Sequence, residues 1–191
     1  MSKRLYILNK QKICEEVAEF IINKFNLEPN FDIIELFNKM DIEVIPVKAL
    51  PADWDYAFND KDGKMKLFYK EYESKKNDIE YHNRNYRFIL ATALGDILMF
   101  YGLKEENLKK LSYNEKFYYQ GNKNTFWRKD FECEHFAACL LMPEYILESR
   151  LYDIAKDGKL LYDDLIKIGE DLGVNPQAIC QRSKRLSLIY F

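Results

Sequence analysis

No stretch of the 191-residue sequence stays apolar for the roughly 18 positions that a membrane-spanning helix requires, so no helical membrane span is expected. Charge of one sign is also lacking. Lys and Arg total 29 against 31 Asp and Glu, a net of −2, which on totals excludes a strongly basic nucleic-acid binder. Cysteine is sparse: Cys14, Cys133, Cys139 and Cys180 form no C-x-x-C pair. Buried thiols in a reducing, cytoplasmic compartment are therefore expected rather than a disulfide framework. The segment from Met1 to Lys10 has a short apolar patch but no long apolar core and no small-residue cleavage site, so a signal peptide is not expected there. Internal repeats and low-complexity tracts are missing as well.

What is present is a globular composition. Apolar residues make up 48% and aromatics 15%, enough to offset the ordering entropy of a chain that can bury about 70% of its unfolded surface. Residues 10–26 carry Ile13, Val17, Phe20, Ile21 and Phe25 at helical spacing. Asp32 is placed to cap a short second helix bearing Ile34, Phe37 and Met40. The β-branched run Ile42-Glu43-Val44-Ile45-Pro46-Val47 reads as a strand, with Pro46 favouring an edge. Residues 54–59 and 64–69 flank a turn signal, Asn59-Asp60-Lys61-Asp62-Gly63, and read as a hairpin. A charged loop is expected over 70–82. The segment from Tyr86 to Tyr101 is apolar on most sides and predicts a buried central helix ended by Gly102. A second apolar helix over 131–141 should stop at Met142-Pro143. Helices over 144–156 and 161–172 follow, then a Gly173 cap and a last helix opening at Asn175-Pro176. The order helices, small antiparallel sheet, helices predicts an α+β fold.

The two central segments carry specific patterns. Arg87-Phe88-Ile89-Leu90-Ala91-Thr92-Ala93-Leu94-Gly95-Asp96-Ile97-Leu98-Met99-Phe100 resembles the active-site helix of the ImmA/IrrE zinc metallopeptidases, close to R-F-x-L-A-H-E-x-G-H-x-L-x-H. Glu132-Cys133-Glu134-His135-Phe136-Ala137-Ala138-Cys139-Leu140-Leu141-Met142-Pro143 resembles the second signature of that family, near E-x-x-x-F-A-A-x-L-L-M-P. The resemblance extends to the two opening helices, the Ile-Glu-Val-Ile strand, the hairpin and the closing Leu-Gly-Val-Asn-Pro-Gln-Ala-Ile segment. It implies a zincin-like core over 1–143 and a C-terminal helical module over 144–191, shaped like a helix-turn-helix and packed on that core.

In such a site two histidines at i and i+4 share one helix face and bind zinc, the glutamate between the residues acts as general base, and a distal glutamate completes the ligand set. At the matching positions this sequence has Thr92 and Asp96 for the two histidines and Ala93 for the base. The distal glutamate alone is kept, as Glu132. The resemblance would imply zinc, and the substitutions imply its loss, so no cofactor is expected. Thr92, Asp96 and Glu132 offer oxygen donors alone, a set suited to magnesium, calcium or manganese, and an alanine methyl cannot serve hydrolysis as a base. Two carboxylates in one cleft repel, which predicts a metal-free, hydrogen-bonded cluster in which Thr92 and a tyrosine or basic side chain contact Asp96 or Glu132.

Other candidates are weaker. His135 stands at i+3 from Glu132 but reads first as a residue facing solvent or a neighbouring helix, and His82 as a surface residue of the charged loop. In a recognition helix, Gln177, Gln181 and Arg182 would point at base edges, yet residues 160–191 balance four basic against four acidic side chains and offer little field for DNA. Tyr113, Tyr118, Tyr119, Phe126 and Trp127 lie between the two signature helices and suit a protein-recognition surface. The reading that follows is a cytoplasmic, catalytically degenerate ImmA/IrrE-like protein that binds a protein partner, with a helix-turn-helix repressor of a mobile or phage-like element as a candidate. An active endopeptidase with an unusual metal site and a DNA-binding regulator acting through its C-terminal helices are the alternatives.

Overall fold

The computed structural model describes residues 3–50, 54–59, 65–71, 79–98, 126–155 and 159–189, with side chains described from residue 11, from 84 and from 132 onward in the first, fourth and fifth of these. Among the described residues the order is α1 (Lys3–Phe25), α2 (Ile33–Lys39), β1 (Ile42–Val47), β2 (Tyr56–Asn59), β3 (Met65–Lys70), α3 (Ile79–Asp96), α4 (Phe126–Leu141), α5 (Glu144–Ile154), α6 (Tyr162–Leu172) and α7 (Pro176–Arg185). The fold is α+β.

Helix α1 begins well before residue 10 and buries Cys14, Val17, Ala18, Ile21 and Ile22. Ile13, Phe20 and Phe25 flank that stripe and pack partly against it. Asn26 takes a left-handed φ of 48°, and the Leu27 amide turns back to the Ile22 carbonyl at 3.0 Å, closing the helix. Asp32 caps α2 as its sequence implies, accepting from the amides of Ile34 at 2.8 Å and Glu35 at 3.4 Å.

The sheet departs from expectation. It is three-stranded with order β1-β3-β2, and β2 pairs antiparallel with β3 as the hairpin requires. β1, however, pairs parallel with β3, so the sheet is mixed rather than antiparallel. The connection after β1 crosses over to place the hairpin's second strand centrally. That leaves Pro46 on an edge strand, where a missing amide costs no ladder bond. Leu67 of β3 is fully buried beneath the helices, and Lys66 meets Glu43 across the parallel register at 3.2 Å.

Helix α3 starts at Ile79, inside the segment expected to be a loop, so His82 stands on a helix. Leu90, Ala91, Ala93, Leu94 and Ile97 are fully buried, and Ile97 and Leu98 continue α3 in a wider, π-type turn. Gly102, the expected stop, lies outside the described residues. Helix α4 crosses α3 closely. A Cβ on Gly95 would stand 2.8 Å from Phe136 Cδ1 and 3.3 Å from the Cα and carbonyl oxygen of Cys133, so the glycine permits this approach. On its other side α4 packs against α1.

Two arginines tie the last helices to the rest. Arg87 of α3 donates from Nη1 to the carbonyls of Leu172 at 2.7 Å and Gly173 at 2.9 Å, and from Nη2 to that of Phe31 at 2.9 Å. A cation at the C-terminus of α6 also complements the helix dipole. Burial lowers the Arg87 pKa to about 10, which leaves it charged at neutral pH. Gly173 has φ 62°, and a side chain there would run into Arg87 and Asn30. Arg182 of α7 reaches α1 and the end of α4, as described next.

Candidate functional site

The signature residues that match the family pattern have structural work. Leu90, Ala91 and Leu94 are core, Gly95 sets the α3–α4 distance, and Arg87 is the clamp just described. Thr92 and Asp96 share one face of α3 at i and i+4, and both are half-buried. The Thr92 hydroxyl donates to the Phe88 carbonyl at 2.9 Å, a bond within its own helix. Ala93 is fully buried. Glu132 of α4 is 6% exposed, and its backbone carbonyl accepts from the Cys14 thiol at 3.6 Å. Asp96 and Glu132 are each next in sequence to the close approach of Gly95 to Cys133.

Of the candidate partner-binding residues, Tyr113, Tyr118 and Tyr119 lie outside the described residues. Phe126 and Trp127 open α4, in a stretch whose side chains are likewise outside them.

A second polar cluster lies where α4 meets α1 and α7. The side chain of His135 is 5% exposed and faces a neighbouring helix, with Nε2 at 3.9 Å from Oε1 of Glu15 on α1. Burial, and then the nearby charge of Arg182, push the His135 pKa down to about 4, so the imidazole is neutral at pH 7. Cys139 stands one turn further along α4, and burial raises its thiol pKa far above the usual value. Nη2 of Arg182 lies 2.7 Å from Oε1 and 2.8 Å from Oε2 of Glu15, and Nε donates to the Met142 carbonyl at 3.4 Å.

That pairing corrects the reading of Arg182 as a base-contacting residue. It is 2% exposed and holds α7 onto α1. Gln177 and Gln181 remain exposed, and the Gln177 amide donates to the Tyr162 hydroxyl at 3.3 Å.

Among the described residues, Glu15, His135 and Cys139 are the one group of three or more His, Cys, Asp or Glu side chains whose ligand atoms gather, all within 4.8 Å of one another. Sequence reasoning missed Glu15 and Cys139 as members of a site. A signal existed in α1, because Glu15 sits between buried Cys14 and buried Val17, and is one turn from buried Ala18. A carboxylate there has to meet a partner from another helix. Cys14, Cys133 and Cys139 are buried thiols, as expected, and Cys180 is half-buried.

No helix among the described residues is long and apolar enough to cross a membrane. No family model and no curated protein matches the chain. Among solved structures, the fold is similar to that of a Mycobacterium tuberculosis transcriptional regulator, with a TM-score of 0.56 and 15% identity. The match covers 90% of this chain and 46% of that one, so this chain spans just under half the regulator's length, and the likeness is one of fold.

Proposed function

We propose that this chain is a catalytically degenerate relative of the ImmA/IrrE metallopeptidases and acts as a regulatory module that binds a protein. The observation that carries this reading is Ala93, fully buried on α3, preceded by Thr92 and followed three residues later by Asp96. There the resemblance calls for a glutamate between two histidines. A methyl group cannot take a proton from water. The loss of general-base assistance alone removes roughly 10²–10⁴ in rate, before any loss of metal is counted.

A helix-turn-helix repressor is the partner class implied by the resemblance, and the fold shared with a transcriptional regulator supports a regulatory setting. The DNA-binding alternative loses support, because Arg182 is committed to Glu15.

The test is to incubate the protein with a helix-turn-helix repressor that an intact relative cleaves. The expected result is binding without cleavage. A specific cut that Glu132→Ala abolishes would contradict the proposal.

A further inference from the structure

We infer that Glu15, His135 and Cys139 form a metal site of zinc type between α1 and α4, built from different residues than the degenerate set on the α3 side. The inference does not depend on the function proposed above.

The donors argue for it first. A carboxylate oxygen, an imidazole nitrogen and a thiol sulfur form a borderline-soft set, which favours zinc or cobalt over magnesium or calcium. Their placement argues second. His135 and Cys139 are at i and i+4 on α4, so one helix face presents both, and α1 brings Glu15 to the same point. The three donor atoms lie within 4.8 Å of one another, and the Glu15–His135 pair is at 3.9 Å. Tetrahedral ligation at roughly 2.0–2.3 Å separates donors by about 3.3–3.8 Å, so a contraction of about 1 Å completes the geometry. Three protein ligands leave the fourth position for water or another donor.

Arg182 fits as the outer partner of the ligating carboxylate. It contacts Glu15 through a single nitrogen, and a carboxylate has lone pairs to spare for a metal. Its charge opposes an incoming dication and limits the affinity. Binding is a proton exchange without redox change. The S–H bond of Cys139 breaks, its proton passes to water, and the sulfur electron pair forms the bond to the metal.

The experiment uses the full chain, reduced and stripped with EDTA, titrated with cobalt(II) and then zinc. The inference predicts one cobalt per chain, with a near-ultraviolet thiolate-to-cobalt absorption and the visible bands of tetrahedral cobalt, both displaced by zinc. Cys139→Ser should remove the thiolate absorption. His135→Gln should weaken binding by at least the roughly 10–100-fold typical of losing even an outer partner. Far-ultraviolet circular dichroism establishes that each variant is folded. The wild-type spectrum is decisive even where a variant does not fold. A wild-type protein without a thiolate–cobalt band overturns the inference, as does a band that survives Cys139→Ser. Loss of the signal in Glu132→Gln would put the metal on the α3 side and overturn it equally.

Discussion

Helix α4 meets α3 on one side and α1 with α7 on the other, and the two contacts are built from different materials. Toward α3 the closest approach is that of Gly95 to Phe136 and the Cys133 backbone, on helices that also carry half-buried Thr92 and Asp96 and buried Glu132. Toward α1 and α7 the same helix offers His135 and Cys139 to a buried arginine and its glutamate partner. One contact is set by close packing around a glycine, while the other gathers an arginine, a glutamate, a histidine and a cysteine at a helix junction.

The charged junction should be the more fragile of the two. Glu15→Gln leaves Arg182 buried without its countercharge and should cost roughly 3 kcal/mol, the low end for a broken buried pair because the Glu15 side chain is 34% exposed. Arg182→Met should cost about half as much, since the carboxylate left behind can reach water. Combining Glu15→Leu with Arg182→Met should return stability to within about 1 kcal/mol of the parent. Urea denaturation midpoints check all three, and equal costs for the two single variants would break the comparison.

Acid should act on the same junction. The folded pKa of His135, about 4, lies below the ordinary value of 6.5, so between these pH values the unfolded chain binds a proton that the folded chain refuses. Its contribution is complete above pH 6.5 and is lost as pH falls toward 4, about 3 kcal/mol over the whole window. Urea midpoints of metal-free protein at pH 7 and pH 4.5 measure this loss, and His135→Gln should lack most of it. A variant that loses as much stability as the parent would show that other groups govern the acid response.

The packed crossing should respond to volume instead. Gly95→Ala gains helix propensity but drives a methyl against the Cys133 backbone, which cannot yield as a side chain tip can. A net loss of about 1–2 kcal/mol is expected by thermal denaturation, independent of pH. A neutral result would mean that α3 and α4 can separate at little cost.

Much of the fold was legible because its signals are local. The Asp32 cap, the stop at Met142-Pro143 and the left-handed Gly173 each act within a few residues of their own position. The start of α3 was not legible, since residues 79–85 are mostly polar and show no apolar stripe. Its Asn85 accepts from Asn175, and Arg84 lies 4.0 Å from Glu170, contacts from α6 and the start of α7 that no local pattern displays. The parallel pairing of β1 was hidden for a similar reason, because a crossover has no signature in either strand. The proposed role of positions 92, 93 and 96 rests on aligned motifs. The Glu15–His135–Cys139 group could not be read that way, as it joins residues some 120 positions apart through packing alone.

The proposed function holds that positions 92, 93, 96 and 132 are those of a metallopeptidase site stripped of its ligands. Its most direct test is the zinc content of the combined variant Thr92→His, Ala93→Glu, Asp96→His, compared with the parent after dialysis. The account predicts one more zinc per chain than the parent holds, and its loss when Glu132→Gln is added. A folded combined variant that takes up no additional zinc would contradict it.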